Sequence, residues 1–323
     1  MEESSTRFDV TTFGEVMLRL SVPSGIRMET MQMLNAAPGG AESNISSLLS
    51  RLGHRTAYIT RLPQNPLARF IANQMRAAGV NLEKTIWTPQ GRLGTYFVEF
   101  SVPPRPIQVV YDRADSAFSH LESREIDWDY LLDTRLLHIT GITPALSVQC
   151  LKTTKQAIQR ARKAGIPVSF DVNYRSKLWS YEQAADTLRP LIQDCELLFC
   201  KFSDAENLFA LKGEPEYVLS RLVDLAKPSV AVLTLGEHGV LGWVEGRQFY
   251  EPAVSTTIID RLGAGDALAA GVIHGWLRQD FRKGLRYGVV LAAMALSQYT
   301  DMVVTSPTEL EQLLQAVGGD VHR

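Results

Sequence analysis

Cysteine is scarce: 323 residues hold three, Cys150, Cys195 and Cys200, with no Cys-x-x-Cys pair. That excludes a disulfide scaffold and the common zinc-ribbon spacings. Cys195 and Cys200 flank the apolar stretch "ELLF", which reads as reduced thiols along a buried strand in a reducing cytosol. Neither sign of charge dominates: 33 Lys and Arg face 35 Asp and Glu, and there is no long basic run. An extended nucleic-acid surface is therefore not expected. No apolar run is long enough to span a membrane; "VVLAAMAL" (289–296) is among the longest. The opening "MEESSTRFDV" is acidic and polar, unlike a signal peptide, so a cytoplasmic protein is expected. Asn44-Ile45-Ser46 spells a glycosylation acceptor, but no secretory signal supports it. Internal repeats and low-complexity segments are also missing.

What is present is the composition of a globular chain with a large core, 45% hydrophobic and 21% charged. Short apolar runs alternate with helical patterns. Strands are predicted at 8–14, 56–62, 136–141, 166–172, 195–200 and 229–236, and helices at 41–53, 66–79 and about 147–164. From about 264 to 317 nearly everything reads as helix. This alternation predicts an α/β fold, a mainly parallel central sheet flanked by helices on both faces. In such sheets ligands bind beyond the carboxyl ends of the strands. Two segments, about 15–37 and 92–113, break the pattern with period-2 runs and proline or glycine turns. They read as antiparallel strands of a small sheet, a lid inserted into a single domain spanning 1–323.

The stretch "IIDRLGAGDALAAG" (258–271) runs a glycine turn into a helix. A helix start offers unpaired N–H groups and the positive end of the dipole, and glycines let a ligand approach the backbone closely. Gly263, Ala264 and Gly265 thus form a candidate anion cradle. Two familiar phosphate loops do not fit. The chain has no Gly-Lys dipeptide, as a Walker loop needs, and Leu268 stands where a dinucleotide fingerprint needs glycine. Asp266 is either a helix cap or a base that takes a proton from a hydroxyl attacking phosphorus. "TLGEHG" (234–239) follows a strand and is either a second phosphate-approach loop or a simple hairpin turn.

Four segments in order resemble the ribokinase-like, PfkB-type carbohydrate kinases over nearly the whole chain. They are "PGGAESNISSLLSRLG" (38–53), "RLPQNPLARFIANQMRAAGV" (61–80), "TLGEHG" (234–239) and "DRLGAGDALAAG" (260–271). The resemblance implies a ribokinase-like α/β sheet with a small β-lid, ATP and Mg²⁺, and room for a monovalent cation. It puts the catalytic base on Asp266 and the phosphoryl cradle on Gly263, Ala264 and Gly265. Nucleotide contacts fall on Lys201, Thr234, Gly236, Gly239, Gly263 and Gly265.

"LLHITGITPALS" (136–147), "DVNYRSKLWS" (171–180), "GTYFVEF" and "VVYDRADSAFS" look like the kinases of 2-keto-3-deoxygluconate. That implies substrate contacts at Gly39, Gly40, Tyr96, Tyr111, Arg113, Ile142 and Arg175. Arginine suits a substrate carboxylate because its planar fork gives paired, charge-assisted hydrogen bonds. The plainer readings are a solvated Arg113 and an Arg175 paired with Asp171 or Asp127. A 5-dehydro-2-deoxygluconate kinase or a fructokinase-like enzyme is the nearest alternative, and a non-catalytic sugar or nucleotide sensor the more distant one.

The pattern is broken in two places. Lys201-Phe202-Ser203-Asp204 stands where the family has Asn-x-x-Glu, which leaves Asp204 for the metal, directly or through water. Arg261 replaces a threonine and points either to ATP phosphates or to solvent. The expected partners are a small sugar acid and ATP, with no nucleic acid and no membrane. Lid edges in this family often pair between subunits, so a homo-oligomer is expected.

Overall fold

The computed structural model describes residues 6–100 and 105–319; residues 101–104, which carry the Pro-Pro pair within the second interruption, lie outside the described residues, as do 1–5 and 320–323. The alternating pattern becomes one eight-stranded sheet. Its order is Arg247–Glu251, Val240–Val244, Val230–Thr234, Leu197–Lys201, Val168–Asp171, Leu137–Thr140, Val10–Phe13 and Thr56–Ile59. The last six are mutually parallel, and the first two add an antiparallel hairpin at one edge. Val10–Phe13 pairs with Thr56–Ile59 on one side and Leu137–Thr140 on the other. The order therefore reverses beside it, where such sheets open a crevice.

Successive residues of each strand face opposite sides, so each strand feeds two cores. Leu198, Cys200, Ala231 and Leu233 pack with helices Val148–Lys163, Tyr181–Leu191, Phe202–Phe209 and Pro215–Ala226. Leu197, Phe199, Val230 and Val232 pack with Ala41–Arg51, Ala264–Leu277, Phe281–Leu296 and Pro307–Gly319. The three cysteines are free and buried. No helix among the described residues is long and apolar enough to cross a membrane.

The helix starts follow local chemistry. Asn65 accepts the Ala68 N–H with Pro66 in the first turn, Ser147 accepts the Cys150 N–H, and Ser180 and Gln183 form a reciprocal capping box. The C-terminal part is three helices, interrupted at 297–306 by a non-helical segment.

The two interruptions join into a four-stranded sheet ordered Asn35–Gly39, Met17–Ser21, Thr95–Glu99 and Gln108–Asp112. Each outer pair is antiparallel, as expected. The central junction, Met17–Ser21 with Thr95–Glu99, is parallel, contrary to the antiparallel expectation. The cause is topological: the two hairpins come from distant parts of the chain, so no tight turn fixes the direction in which they meet.

Candidate active site

Segments carrying the expected site residues leave the carboxyl ends of parallel strands: Gly141-Ile142 after Leu137–Thr140, Arg175 after Val168–Asp171, Asp204 after Leu197–Lys201, and Gly236 after Val230–Thr234. Gly263 is the N-cap of helix Ala264–Leu277, with φ of 81°. A side chain there would strain the backbone and place its Cβ 2.6 Å from the Asp301 carbonyl oxygen. Gly265 differs: a Cβ would meet nothing within 4 Å, so its bare backbone faces open space.

Asp266 lies in the first turn of that helix but is not its cap. Its carboxylate is 7% exposed and accepts 2.7 Å from Asn44 Nδ2. Burial pushes its pKa up to about 6, with Asp301 and Glu42 adding to the rise, against the Asn44 hydrogen bond and the Arg175 charge. Such a carboxylate is ionised at neutral pH yet more basic than a free Asp, as a proton acceptor requires. Asn44 belongs to the apparent glycosylation acceptor; it is 4% exposed and serves Asp266 instead.

Five of the seven residues expected on the sugar side are tied together. Gly39 ends strand Asn35–Gly39, and Gly40 opens helix Ala41–Arg51. A Cβ on Gly39 would lie 1.9 Å from the Tyr96 hydroxyl, and one on Gly40 2.3 Å from the Glu15 carbonyl. Tyr96 stacks on Tyr111 at 5.7 Å, and the guanidinium of Arg113 lies 5.9 Å from the Tyr111 ring centre. Arg113 is no solvated residue: its side chain is 11% exposed, and its Nε donates to Glu15 Oε2 at 2.9 Å. Ile142 lies outside this chain of contacts and is held by Glu42, whose Oε1 accepts from Thr140 and Thr143 on either side of it, at 2.8 and 2.7 Å.

Arg175 stands apart in being exposed and, among the described residues, unpaired. Asp127 is taken by Lys84 and by a helix cap. The Arg175 charge nonetheless acts on the site, lowering the pKa of Asp266, Asp171 and Asp204 alike. Burial pushes Asp171 up to about 8, with the Asp266 and Asp204 charges adding to the rise. A second cation, Lys177, donates to the Val109 carbonyl at 2.9 Å and lies 5.4 Å over the Tyr111 ring.

Lys201 and Asp204 begin helix Phe202–Phe209; Lys201 is exposed and Asp204 half-buried. Burial raises the Asp204 pKa while Lys201 lowers it. Among the described residues no three His, Cys, Asp or Glu side chains group to cage a metal. A Mg²⁺ that arrives on a nucleotide takes one or two carboxylates plus phosphate oxygens, and Asp204, whose charge reaches Asp171, is the carboxylate that fits such an ion. Thr234 ends strand Val230–Thr234, and Gly236 and Gly239 lie in the hairpin turn between it and the antiparallel Val240–Val244. Between the segment 254–256 and the last two helices opens a cavity of about 490 Å³, lined by apolar Val254, Val290, Met294 and Leu313 and by polar Ser255 and Gln298 among others. Arg261 is exposed and makes no ion pair among the described residues.

Sequence reasoning missed a buried ion cluster beside the cradle. Arg19 of strand Met17–Ser21 is 1% exposed and ion-pairs both Asp260 and Asp301. Asp301 also accepts the Tyr96 hydroxyl at 2.6 Å. The available signal was a lone arginine inside the otherwise apolar "VMLRL". Arg19 thus brings a cation of its own to the two buried carboxylates, offsetting one of their two charges.

Residues 7–309 match the family model described as pfkB family carbohydrate kinase. The chain is 35% identical over 313 residues to a 2-dehydro-3-deoxygalactonokinase of Haloferax volcanii, covering 97% of this chain and 98% of that protein. It is 30% identical over 305 residues to a 2-dehydro-3-deoxygluconokinase of Bacillus subtilis, covering 92% of each. The crystal structure of a 2-dehydro-3-deoxygluconokinase from Thermotoga maritima superposes with a TM-score of 0.91 at 30% identity, covering 95% of this chain and 99% of that one.

Proposed function

The chain belongs to the pfkB family of carbohydrate kinases, and we propose that it phosphorylates a 2-keto-3-deoxy sugar acid, 2-keto-3-deoxygluconate, at its 6-hydroxyl with ATP. The observation that carries the acid preference is Arg175: an exposed, unpaired guanidinium whose charge reaches the base Asp266. An acidic substrate would give this arginine the direct ion-pair partner that the nearby carboxylates do not, since none of them ion-pairs with it among the described residues. Lys177 over the Tyr111 ring adds positive charge at the same lid strand. The names of the relatives point to the same substrate class.

In this reading Asp266 takes the proton of the primary hydroxyl as that oxygen bonds to the γ-phosphorus and the bond to ADP breaks. N–H groups at Gly263, Ala264 and Gly265 receive the charge on the moving phosphoryl group. Asn44 keeps the base aimed. Tyr96, Tyr111, Arg113, Gly39, Gly40 and Ile142 hold the sugar acid, with Arg113 oriented by Glu15. Asp204, and Asp171 once deprotonated, would hold Mg²⁺, which would supply charge neutralisation on the phosphates. Thr234, Gly236, Gly239 and Lys201 line the nucleotide's path, and the 490 Å³ cavity takes its base. The small sheet acts as a lid that excludes water and so limits wasteful hydrolysis. Its outer strand ends the sheet among the described residues and exposes Val110, although Lys177 takes one of its carbonyls; that edge supports a homo-oligomer built by edge pairing.

Arg175→Met tests the acid preference. It should cut kcat/KM for 2-keto-3-deoxygluconate by about 10²-fold, since a charge-assisted hydrogen bond contributes about 1.5–3 kcal/mol. A slow neutral substrate such as fructose should lose far less. Equal losses on both would remove the carboxylate from Arg175.

A further inference from the structure

We propose that Arg19 is the built-in cation of this site, clamping Asp260 and Asp301 on either side of the glycine turn and holding it in the shape that receives the phosphoryl group. The geometry is that of a staple. Arg19 lies in an inner strand of the small sheet, directly beside Tyr96 in the parallel register and Ala37 in the antiparallel one. Its Nη2 reaches Asp260 and its Nη1 reaches Asp301. Asp260 Oδ1 also accepts the Leu262 N–H at 3.0 Å, so the same carboxylate shapes the residues just before Gly263. The Asp301 carbonyl fills the space a side chain would need at Gly263, and its Oδ2 accepts from Tyr96. One guanidinium thus fixes the segment leading into the cradle, the segment packed against it and, through Asp301, a residue placed on the sugar.

The charge matters as much as the shape. Two buried carboxylates behind an anion cradle would repel a phosphoryl group, and in a low-dielectric interior that repulsion is poorly screened. Arg19 offsets one of the two charges and hydrogen-bonds both groups. A flexible bound ion would do this with less geometric constraint; a planar fork held in a strand does it permanently. Arg19 touches no substrate in this account and acts as a positioning residue for the cradle.

The proposal rests on the kinase reading, and wild-type turnover tests that reading separately. Arg19→Ala should lower kcat by roughly 10²-fold through misplacement of the cradle, with KM for the sugar acid changed far less. Guanidinium ion, added well below denaturing concentrations, should restore part of the loss in Arg19→Ala and none in Asp266→Asn. Arg19→Lys, which keeps the charge but not the fork, should fold and fall between wild type and Arg19→Ala; if Arg19→Ala does not fold, Arg19→Lys carries the test. Wild-type rates should not change when potassium is replaced by tetramethylammonium. A folded Arg19→Ala or Arg19→Lys with wild-type kcat overturns the proposal. So does a loss in folded Arg19→Ala that guanidinium leaves untouched, or a wild-type requirement for potassium. If wild type turns over no sugar or sugar acid, the kinase reading fails instead. The proposal is then judged by the ATP-induced rise in melting temperature, which Arg19→Ala should abolish and which an unchanged rise would contradict.

Discussion

Replacing Asp266 by Asn should make the protein inactive and more stable, and the gain should depend on pH in a calculable way. Burial raises the Asp266 pKa from 3.8 to about 6. A raised carboxyl pKa means the folded state binds the proton more tightly than the unfolded one. Keeping Asp266 ionised therefore costs stability at every pH above the folded pKa, and the cost disappears as pH falls to the unfolded value. At 1.36 kcal/mol per pKa unit the cost at pH 8 is about 3 kcal/mol, falling to about half at pH 5 and about 0.5 kcal/mol at pH 4. Asn is nearly isosteric, carries no charge and can still accept from Asn44 Nδ2. In ligand-free protein, Asp266→Asn should raise the melting temperature by roughly 5 °C at pH 8, with little change near pH 4. Turnover should fall by roughly 10²–10⁴. A carboxylate that merely stabilised the helix start would predict the opposite sign, because Asn caps as well as Asp but loses the charge–dipole interaction, about 0.3–1 kcal/mol. A drop in melting temperature at pH 8, or near-normal turnover, would refute the assignment of Asp266 as a desolvated base.

Other outcomes follow from the same geometry. In the pH–rate profile kcat/KM should fall tenfold per unit below about pH 6, as Asp266 takes up its proton; activity undiminished at pH 5 would count against it. Gly265→Ala should leave the melting temperature unchanged or higher, because alanine is the better helix former by roughly 1 kcal/mol and its Cβ meets nothing. Kinetics should show a higher KM for ATP and a lower kcat, the mark of a glycine kept for a ligand. Arg113→Met should destabilise the fold by about 3–5 kcal/mol because the buried Glu15 loses its partner. Adding Glu15→Gln should recover most of that stability in urea unfolding without recovering sugar-acid affinity.

Much of the fold is readable in local pattern. The parallel strands alternate residues between two cores, and caps such as Asn65-Pro66 and Ser147 mark helix starts in the sequence itself. The glycine turn before Asp266 is readable for the same reason: its residues are neighbours in the chain. The electrostatic frame around it is not. Asn44 meets Asp266 across 222 residues, Arg19 meets Asp260 across 241 and Asp301 across 282. No periodicity records such pairs. Arg113 shows the limit of reading by residue type: its charge fits a clamp for an acid, yet it is already bound to Glu15, whose role no spacing announces. The parallel junction of the small sheet was hidden for the same reason.

The most direct test is an ADP-release assay of the wild-type protein with ATP and Mg²⁺ over 2-keto-3-deoxygluconate, its galactonate epimer, 5-dehydro-2-deoxygluconate, fructose and ribose. The account predicts turnover on a 2-keto-3-deoxy acid with kcat/KM at least roughly 10²-fold above either neutral sugar, and phosphate on the 6-oxygen of the product. Equal or better turnover of fructose or ribose, or no ADP release with any of them, would contradict it.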